Sequence, residues 1–269
     1  MISFLVCAYR EEGIIKECIE HILKLEGKKE ILVGCDKKTA RQLKGYSIRL
    51  IIEKRRMGKA KMLSKLMKKS NGDILIINDA EHYLFPDNAL KKICEYFKDN
   101  KIGGLTFNTF IQEQEVNRGY WVIVESIMWE IARLYNLTNE KNRMQFVNVF
   151  RKGIVDVETI NDDAEIAKEL TNKNYSIKTV PDVMFYGGKT NASSISDSIN
   201  QKIRTQYGWI QMRKKYGTNM FPYYLKMFLF YMAIIFGTFV YIGIFIYSMI
   251  RALMIKDKST SSIWKKRKR

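Results

Sequence analysis

The stretch Ile74-Leu75-Ile76-Ile77-Asn78-Asp79-Ala80-Glu81 decides how this chain is read. Four consecutive aliphatic residues describe a buried strand, and it closes in two carboxylates, Asp79 and Glu81, one residue apart. In open α/β sheets the strand ends are where ligands bind. Paired carboxylates at that spacing suit a hard cation that carries a phosphate. A second acidic run, Asp162-Asp163-Ala164-Glu165, is followed some way on by Gln201-Lys202-Ile203-Arg204. Each motif also has a plainer reading. Asp79-Ala80-Glu81 fits a solvated strand end, and Asp162-Asp163 fits a helix N-cap with first-turn acids, a use compatible with catalysis. Gln201 and Arg204 fit a polar helix face, and Lys59 fits one exposed lysine among many.

Outward from that strand, the pattern alternates strand and helix, as a parallel or mixed α/β sheet requires. Strands are predicted over Ile2–Ala8, Glu30–Gly34, Ile48–Glu53, Asp73–Asn78, Gly103–Phe110, Phe146–Arg151 and Ser176–Val180, the last stopping before Pro181. Helices are predicted over Glu12–Leu25, Lys37–Leu43, Lys59–Lys69, Pro86–Lys98, Trp121–Leu134 and Asp163–Thr171. In the first of these Ile15, Ile19, Ile22 and Leu23 share a face, and Pro86 stands in the first turn of another. A further helix, Ser196–Tyr216, places Ile199, Ile203, Tyr207 and Ile210 on one side and its basic residues largely elsewhere. It reads as an amphipathic element lying at a membrane interface.

The 269 residues suffice for one substantial domain with an appendage. A hydrophobic fraction of 46% with 12% aromatics excludes a disordered chain. The net charge of +18 implies a polyanionic neighbour. Four cysteines, Cys7, Cys18, Cys35 and Cys94, form no CxxC pair, and His21 and His82 are too few to complete a zinc site. They read as reduced thiols of a cytoplasmic domain. The opening Met1–Cys7 is too short for a signal peptide and reads as a first strand.

From Met227 to Ile250 the chain carries no charge for 24 residues. As a helix this run would measure ~36 Å, against a hydrocarbon core of ~30 Å, so it reads as a transmembrane segment. Basic residues flank both ends, and a single span would place one basic flank outside, against the positive-inside bias. A hairpin turning at Gly237 is the alternative. The organisation predicted is a catalytic domain over 1–195, an interfacial helix over 196–226, a membrane segment over 227–253 and a basic tail over 254–269. The tail reads as a lipid-facing or topology signal rather than a nucleic-acid patch, so no nucleic acid is expected as a partner.

Taken in order, these pieces resemble the membrane-bound members of the family 2 nucleotide-sugar glycosyltransferases, which have the GT-A fold. Val6-Cys7-Ala8-Tyr9-Arg10-Glu11-Glu12 looks like the family's opening PAYNEE strand and turn, with Arg10 where Asn is usual. Cys35-Asp36 looks like its DD pair, with Cys for the first Asp. Arg56-Met57-Gly58-Lys59-Ala60 matches a GKA loop, and Asp79-Ala80-Glu81 takes the DxD position with Glu for the second Asp. Asn161-Asp162-Asp163-Ala164-Glu165 is similar to TEDxE. Gln201-Lys202-Ile203-Arg204-Thr205, with Gly208 and Gln211, looks like QxxRWxxGxxQ with Thr205 in place of Trp.

The resemblance implies a membrane-anchored, metal-assisted inverting glycosyltransferase of the cell membrane with its catalytic domain in the cytoplasm. Its donor would be a UDP- or GDP-linked sugar, and its acceptor a polysaccharide, glycan or lipid-linked molecule. By similarity, Tyr9, Glu11 and Asp36 line the nucleotide pocket, and Lys59, Asp79, Asp162, Gln201 and Arg204 serve the donor. Asp79 and Glu81 would hold Mg²⁺ or Mn²⁺, and Asp163 would be the catalytic base. The chemistry agrees with these residue types. A hard cation on Asp79 and Glu81 offsets the charge of a diphosphate leaving group, Arg204 adds a fixed positive charge, and Asp163 accepts the acceptor's proton. One base without a covalent nucleophile implies inversion at the anomeric carbon. Two alternatives stay open: a polyprenyl-phosphate sugar synthase, and a non-catalytic membrane-tethered binding protein on a degenerate transferase scaffold.

Overall fold

The computed structural model describes residues 1–9, 13–111, 147–187 and 195–217, with scattered positions between 225 and 250. The chain divides into two compact units, Met1–Tyr216 and Gly217–Arg269.

In the first unit the order is β1 (Ile2–Ala8), α1 (Ile15–Lys24), β2 (Lys29–Cys35), α2 (Lys37–Gln42), β3 (Arg49–Ile52), α3 (Lys59–Lys69) and β4 (Ile74–Asp79). There follow β5 (His82–Phe85), α4 (Ala89–Tyr96), β6 (Ile102–Ile111), β7 (Val149–Arg151), α5 (Asp162–Asn172), β8 (Ser176–Gly187) and α6 (Ile195–Tyr216). The strands form one mixed sheet in the order β3-β2-β1-β4-β7-β6-β8-β5. β1 pairs in parallel with β2 and β4, and β2 with β3. β7 then enters antiparallel between β4 and β6.

Both faces of the parallel part are covered, which is why its strands read as unbroken apolar runs rather than alternating ones. Phe4, Val6, Val33 and Ile76 pack on one side with Ile15, Ile19 and Ile22 of α1 and Leu90 and Ile93 of α4. Leu5, Leu32 and Leu75 point the other way, against Leu63 and Leu66 of α3 and Ile166 of α5. This is the mixed, helix-flanked sheet expected from the alternation. The cysteines are free thiols, with Cys18 and Cys35 buried.

Four elements differ most from the sequence reading. β5 was not foreseen, because His82–Phe85 is short and follows the acidic turn directly. It pairs antiparallel with β8. Consequently the helix predicted from Pro86 begins at Ala89, whose N–H bonds to the Pro86 carbonyl at 2.8 Å in the intervening turn. β8 does not stop before Pro181 but runs on to Gly187. Its register against β6 slips there, Phe107 facing Val180 and Asn108 facing Met184. A proline lacking an N–H is tolerated at such an irregularity. α1 begins at Ile15 rather than Glu12. The predicted helix Trp121–Leu134, with Trp121 and Trp129, lies outside the described residues.

In the second unit the described positions between 225 and 250 are helical, and large apolar side chains such as Phe236, Phe239 and Phe245 stand exposed. Among the described residues no helix is long and apolar enough to cross a membrane. The basic tail lies outside them.

Candidate active site

The site forms at the C-terminal ends of the parallel strands. Register places Cys7 of β1 opposite Asp79 of β4, and Ala8 opposite Cys35 of β2. Asp79 is the last residue of its strand, and Ala80 and Glu81 form the turn into β5. The turn is braced from beneath by Asn78, which is buried and donates through Nδ2 to the carbonyls of Asp79 and His82, both at 2.9 Å. Asn78 was not singled out from sequence. A polar residue ending an apolar strand is the signal that could have found it, since a buried amide needs partners.

Lys59 comes to the same place from another element. Gly58 precedes α3 with φ of +88°, a conformation that favours glycine. Lys59 Nζ then lies 2.9 Å from Asp79 Oδ1 and 3.2 Å from Asp162 Oδ2. Lys59 is therefore no solitary solvated lysine; it bridges the two acidic runs. Its side chain and that of Asp79 keep 40% and 41% of their surface open to water, so the pair is reachable by a ligand.

The electrostatics follow from this clustering of charges. Desolvation works against the Lys59 charge, but Asp79 and Asp162 outweigh it and raise its pKa above the ordinary lysine range. Asp79 is likewise opposed by desolvation but held below the usual carboxylate range by Lys59 and then His82, whose Nδ1 is 3.7 Å from Oδ2. The charge of Arg204 acts in the same direction. Burial pushes Asp162 up, against the pull of Lys59. Burial and the adjacent Asp162 carboxylate push Asp163 up to about 6. A carboxyl raised that far is a better proton acceptor near neutral pH than an unperturbed one. The Cys7 thiol, half-buried beside these groups, is pushed up to about 12 by desolvation and stays protonated.

Beside this cluster is an open pocket of about 610 Å³, lined by Tyr9, Asp36, Glu53, Arg56 and neighbouring lysines. The Arg56 guanidinium sits over the Tyr9 ring, 4.8 Å from its centroid. Glu53 accepts the Met57 N–H at 3.1 Å and so holds the loop that leads to Lys59. Asp36 caps α2, its Oδ1 accepting the N–H groups of Lys38 at 2.7 Å and Thr39 at 3.0 Å. It is thus a helix cap and a wall of the pocket at once. Glu11 lies outside the described residues.

α6 closes the site from one side. Gly208 meets Asn161 so closely that a Cβ there would fall 2.3 Å from its Oδ1. Asn161 Nδ2 donates to the Thr205 carbonyl at 3.3 Å, and Gln211 Oε1 accepts the Ile160 N–H at 3.0 Å. The glycine and second glutamine of the QxxRTxxGxxQ run therefore grip the residues just before Asp162-Asp163. Gln201 belongs to α6, but its side chain lies outside the described residues. Ile199, Ile203, Tyr207 and Ile210 form an exposed stripe on the helix, Ile203 at 61%.

Glu165, the last acid of the second run, carries a structural role that its place in the motif does not announce. It is fully buried, and its Oε2 accepts the N–H groups of Glu158 at 2.8 Å and Thr159 at 2.7 Å. Its Oε1 accepts Lys215 Nζ at 2.9 Å and the Tyr216 hydroxyl at 3.1 Å. The available signal was its place on the buried stripe of α5, with Ile166 and Leu170. A charge at such a position is almost never left unpaired.

Asp79 and Glu81 were read as metal ligands. Among the described residues there is no ready-made group of three His, Cys, Asp or Glu side chains that could hold a metal ion. The donor chemistry nevertheless fits. Asp79 supplies a carboxylate with the His82 imidazole 3.7 Å from its Oδ2, and Glu81, two residues on in the same turn, brings a second carboxylate of the kind Mg²⁺ or Mn²⁺ takes.

Comparison with known proteins agrees with the geometry. The glycosyl transferase family 2 pattern matches residues 3–157. The chain belongs to that family. The family match supports a glycosyltransferase enzyme. Poly-beta-1,6-N-acetyl-D-glucosamine synthase of Staphylococcus epidermidis is 26% identical over 197 residues, 67% of this chain and 48% of that protein. The chain thus spans about half the length of the curated relatives it matches. A mannosyltransferase from Pyrobaculum calidifontis, solved with GDP-Man and Mn²⁺, superposes with a TM-score of 0.60 at 15% identity, over 79% of this chain and 64% of that one. S. aureus TarS, solved with UDP-GlcNAc, superposes at 0.51 with 14% identity, over 72% and 60% respectively. At such identities the two structures speak to the fold, which they share with this glycosyltransferase.

Proposed function

We propose that this glycosyltransferase moves a sugar from a nucleotide diphosphate donor to a growing glycan at a membrane surface, with inversion at the anomeric carbon. The observation that carries this reading is the convergence of Lys59, Asp79, Asp162 and Asp163 beside the Tyr9–Arg56 pocket, with the charge of Arg204 bearing on Asp79.

The nucleotide enters the pocket, its base against Tyr9, whose other face is backed by the Arg56 guanidinium, with Asp36 at the pocket wall. The diphosphate then reaches Lys59 and Arg204, which supply fixed positive charge as the glycosidic bond breaks. Asp79 and Glu81 would hold Mg²⁺ or Mn²⁺, which when bound supplies Lewis acidity toward the diphosphate. Asp163 takes the proton of the acceptor hydroxyl, and Asp162 keeps Lys59 oriented. No second carboxylate is assigned as a nucleophile, so a single displacement follows.

The likeness to poly-beta-1,6-N-acetyl-D-glucosamine synthase supports a polysaccharide acceptor and makes a UDP-linked amino sugar the first donor to test. Membrane attachment rests on the uncharged run Met227–Ile250 and on the exposed apolar stripe of α6. The same stripe favours a second reading in which the acceptor is a polyprenyl phosphate. The test is nucleoside diphosphate release by the full chain from a panel of UDP- and GDP-sugars, with product analysis. A mild-acid-labile lipid phosphate sugar would select the second reading. Unchanged turnover in Asp163→Asn would remove the assigned base.

A further inference from the structure

Lys59 stands where the metal reading of Asp79 would bring a second cation. Its Nζ is 2.9 Å from Asp79 Oδ1 and 3.2 Å from Asp162 Oδ2, so one ammonium bridges two carboxylates from different parts of the chain. We propose that Lys59 is an exchangeable counter-cation. It holds Asp79 while the donor is absent and moves to the donor's diphosphate on binding, so that a divalent cation alone binds weakly and binds well only together with a nucleoside diphosphate. This rests on the reading of Asp79 as a metal ligand and of the adjoining pocket as the donor site.

Three features support the exchange. Lys59 is the first residue of α3, while the body of that helix is fixed by Met62, Leu63 and Leu66 in the core. The ammonium can therefore swing on its four-carbon stem without moving the helix. Its 40% exposure leaves room on the water side. Charge supplies the coupling. A dication added to Asp79 while Lys59 remains would crowd two positive centres onto one carboxylate. A diphosphate arriving with the dication gives the displaced ammonium a new anionic partner. By linkage, the diphosphate must then raise the affinity for the cation as much as the cation raises the affinity for the diphosphate. The consequence for the enzyme is a site that does not collect free metal ions between turnovers.

The test is Mn²⁺ binding to the full chain in detergent, read from the free-ion electron paramagnetic resonance signal, for wild type, Lys59→Met and Lys59→Arg, with and without UDP or GDP. Lys59→Met, which keeps the stem and removes the charge, should bind Mn²⁺ alone about tenfold tighter or more than wild type. Lys59→Arg, which keeps the charge, should behave like wild type. Equal Mn²⁺ affinity in wild type and Lys59→Met, with binding lost in Asp79→Asn, overturns the exchange and leaves the metal reading standing. No Mn²⁺ binding by any variant, with or without nucleotide, overturns both. A crystal structure of the wild-type chain with UDP and Mn²⁺ decides independently of whether Lys59→Met folds. Lys59 should have left Asp79, and a metal bound beside an undisturbed Lys59–Asp79 pair overturns the exchange.

Discussion

Glu165 and Lys215, fifty residues apart in the chain, meet at 2.9 Å around a carboxylate that has no exposure to solvent. Burial opposes the Glu165 charge, but the N–H of Thr159, the Lys215 ammonium and the N–H of Glu158 hold it below the usual glutamate range. Lys215 also reaches Glu158 at 2.8 Å, and Tyr216 donates to Glu169 at 2.7 Å. The last turn of α6 is thereby fastened to the start of α5.

Removing the buried partner tests that fastening. Glu165→Ala leaves the N–H groups of Glu158 and Thr159 without their acceptor, though Lys215 keeps Glu158 and the Tyr216 hydroxyl keeps Glu169. A loss of about 3 kcal/mol is expected, seen as a lower urea midpoint. Lys215→Met, which leaves the buried carboxylate without its counter-cation, should cost a similar amount. Equal midpoints for wild type and both variants would show that the cluster contributes nothing to stability.

Gly208 gives a prediction of unusual sign. Within a helix, Gly→Ala stabilises by roughly 0.5–1 kcal/mol where space permits. Here the new methyl meets Asn161, the residue before Asp162, and breaks its hydrogen bond to the Thr205 carbonyl. Gly208→Ala should therefore lower kcat by about tenfold or more while leaving thermal stability near wild type. Full activity in this variant would mean that α6 does not position the acidic run.

The pH dependence follows from Asp163. Its pKa is raised to about 6 by burial and by Asp162, so the carboxyl is protonated, and useless as a base, below that value. Turnover should fall about tenfold per pH unit below pH 6 and level off above it. The sign for stability is the opposite. A raised carboxyl pKa means that the folded chain binds the proton more tightly than the unfolded one, so this group favours folding less as pH rises from about 4 to about 6. Asp163→Asn should abolish turnover yet melt no lower than wild type at pH 7.

Asn78 offers a test of the metal-bearing turn. Its amide is buried under the carbonyls of Asp79 and His82, and Asn78→Ala leaves both without that donor. A cost of about 2 kcal/mol is expected, with weaker metal-dependent nucleotide binding measured by calorimetry. Unaltered binding would show that the turn holds its shape without the brace.

The parallel half of the sheet was legible because its strands are unbroken apolar runs closed by Cys35-Asp36 and Asp79-Ala80-Glu81. The limits of β1 and α3 emerge as predicted. β5 was hidden because four residues next to a turn carry little periodicity, and Pro86 suggested a helix start where the chain is still turning. Pro181 ended β8 too early, since sequence does not show that the sheet has an irregularity there to receive it. In the site, the carboxylates and Lys59 could be named from spacing. That one lysine joins both acidic runs could not be read, because Asp79 and Asp162 are brought together only by tertiary packing, α3 and α5 covering the same face of the sheet. The structural role of Glu165 could not be read for the same reason, since Lys215 and Tyr216 reach it from the far end of α6.

The pairing order has a geometric consequence for the acidic turn. β4 and β5 are separated in the sheet by β7, β6 and β8, yet only Ala80 and Glu81 join them in the chain. Four strand spacings laid flat would cover ~19 Å, whereas the three virtual bonds from Asp79 to His82 reach at most ~11 Å. A flat sheet is therefore impossible, and the pairing ribbon must curl until its outermost strand returns to its middle. Asp79 and Glu81 lie at that crossing. Any loosening of the β8–β5 edge, far from the donor pocket along the ribbon, is thus transmitted to the carboxylates through two residues of chain.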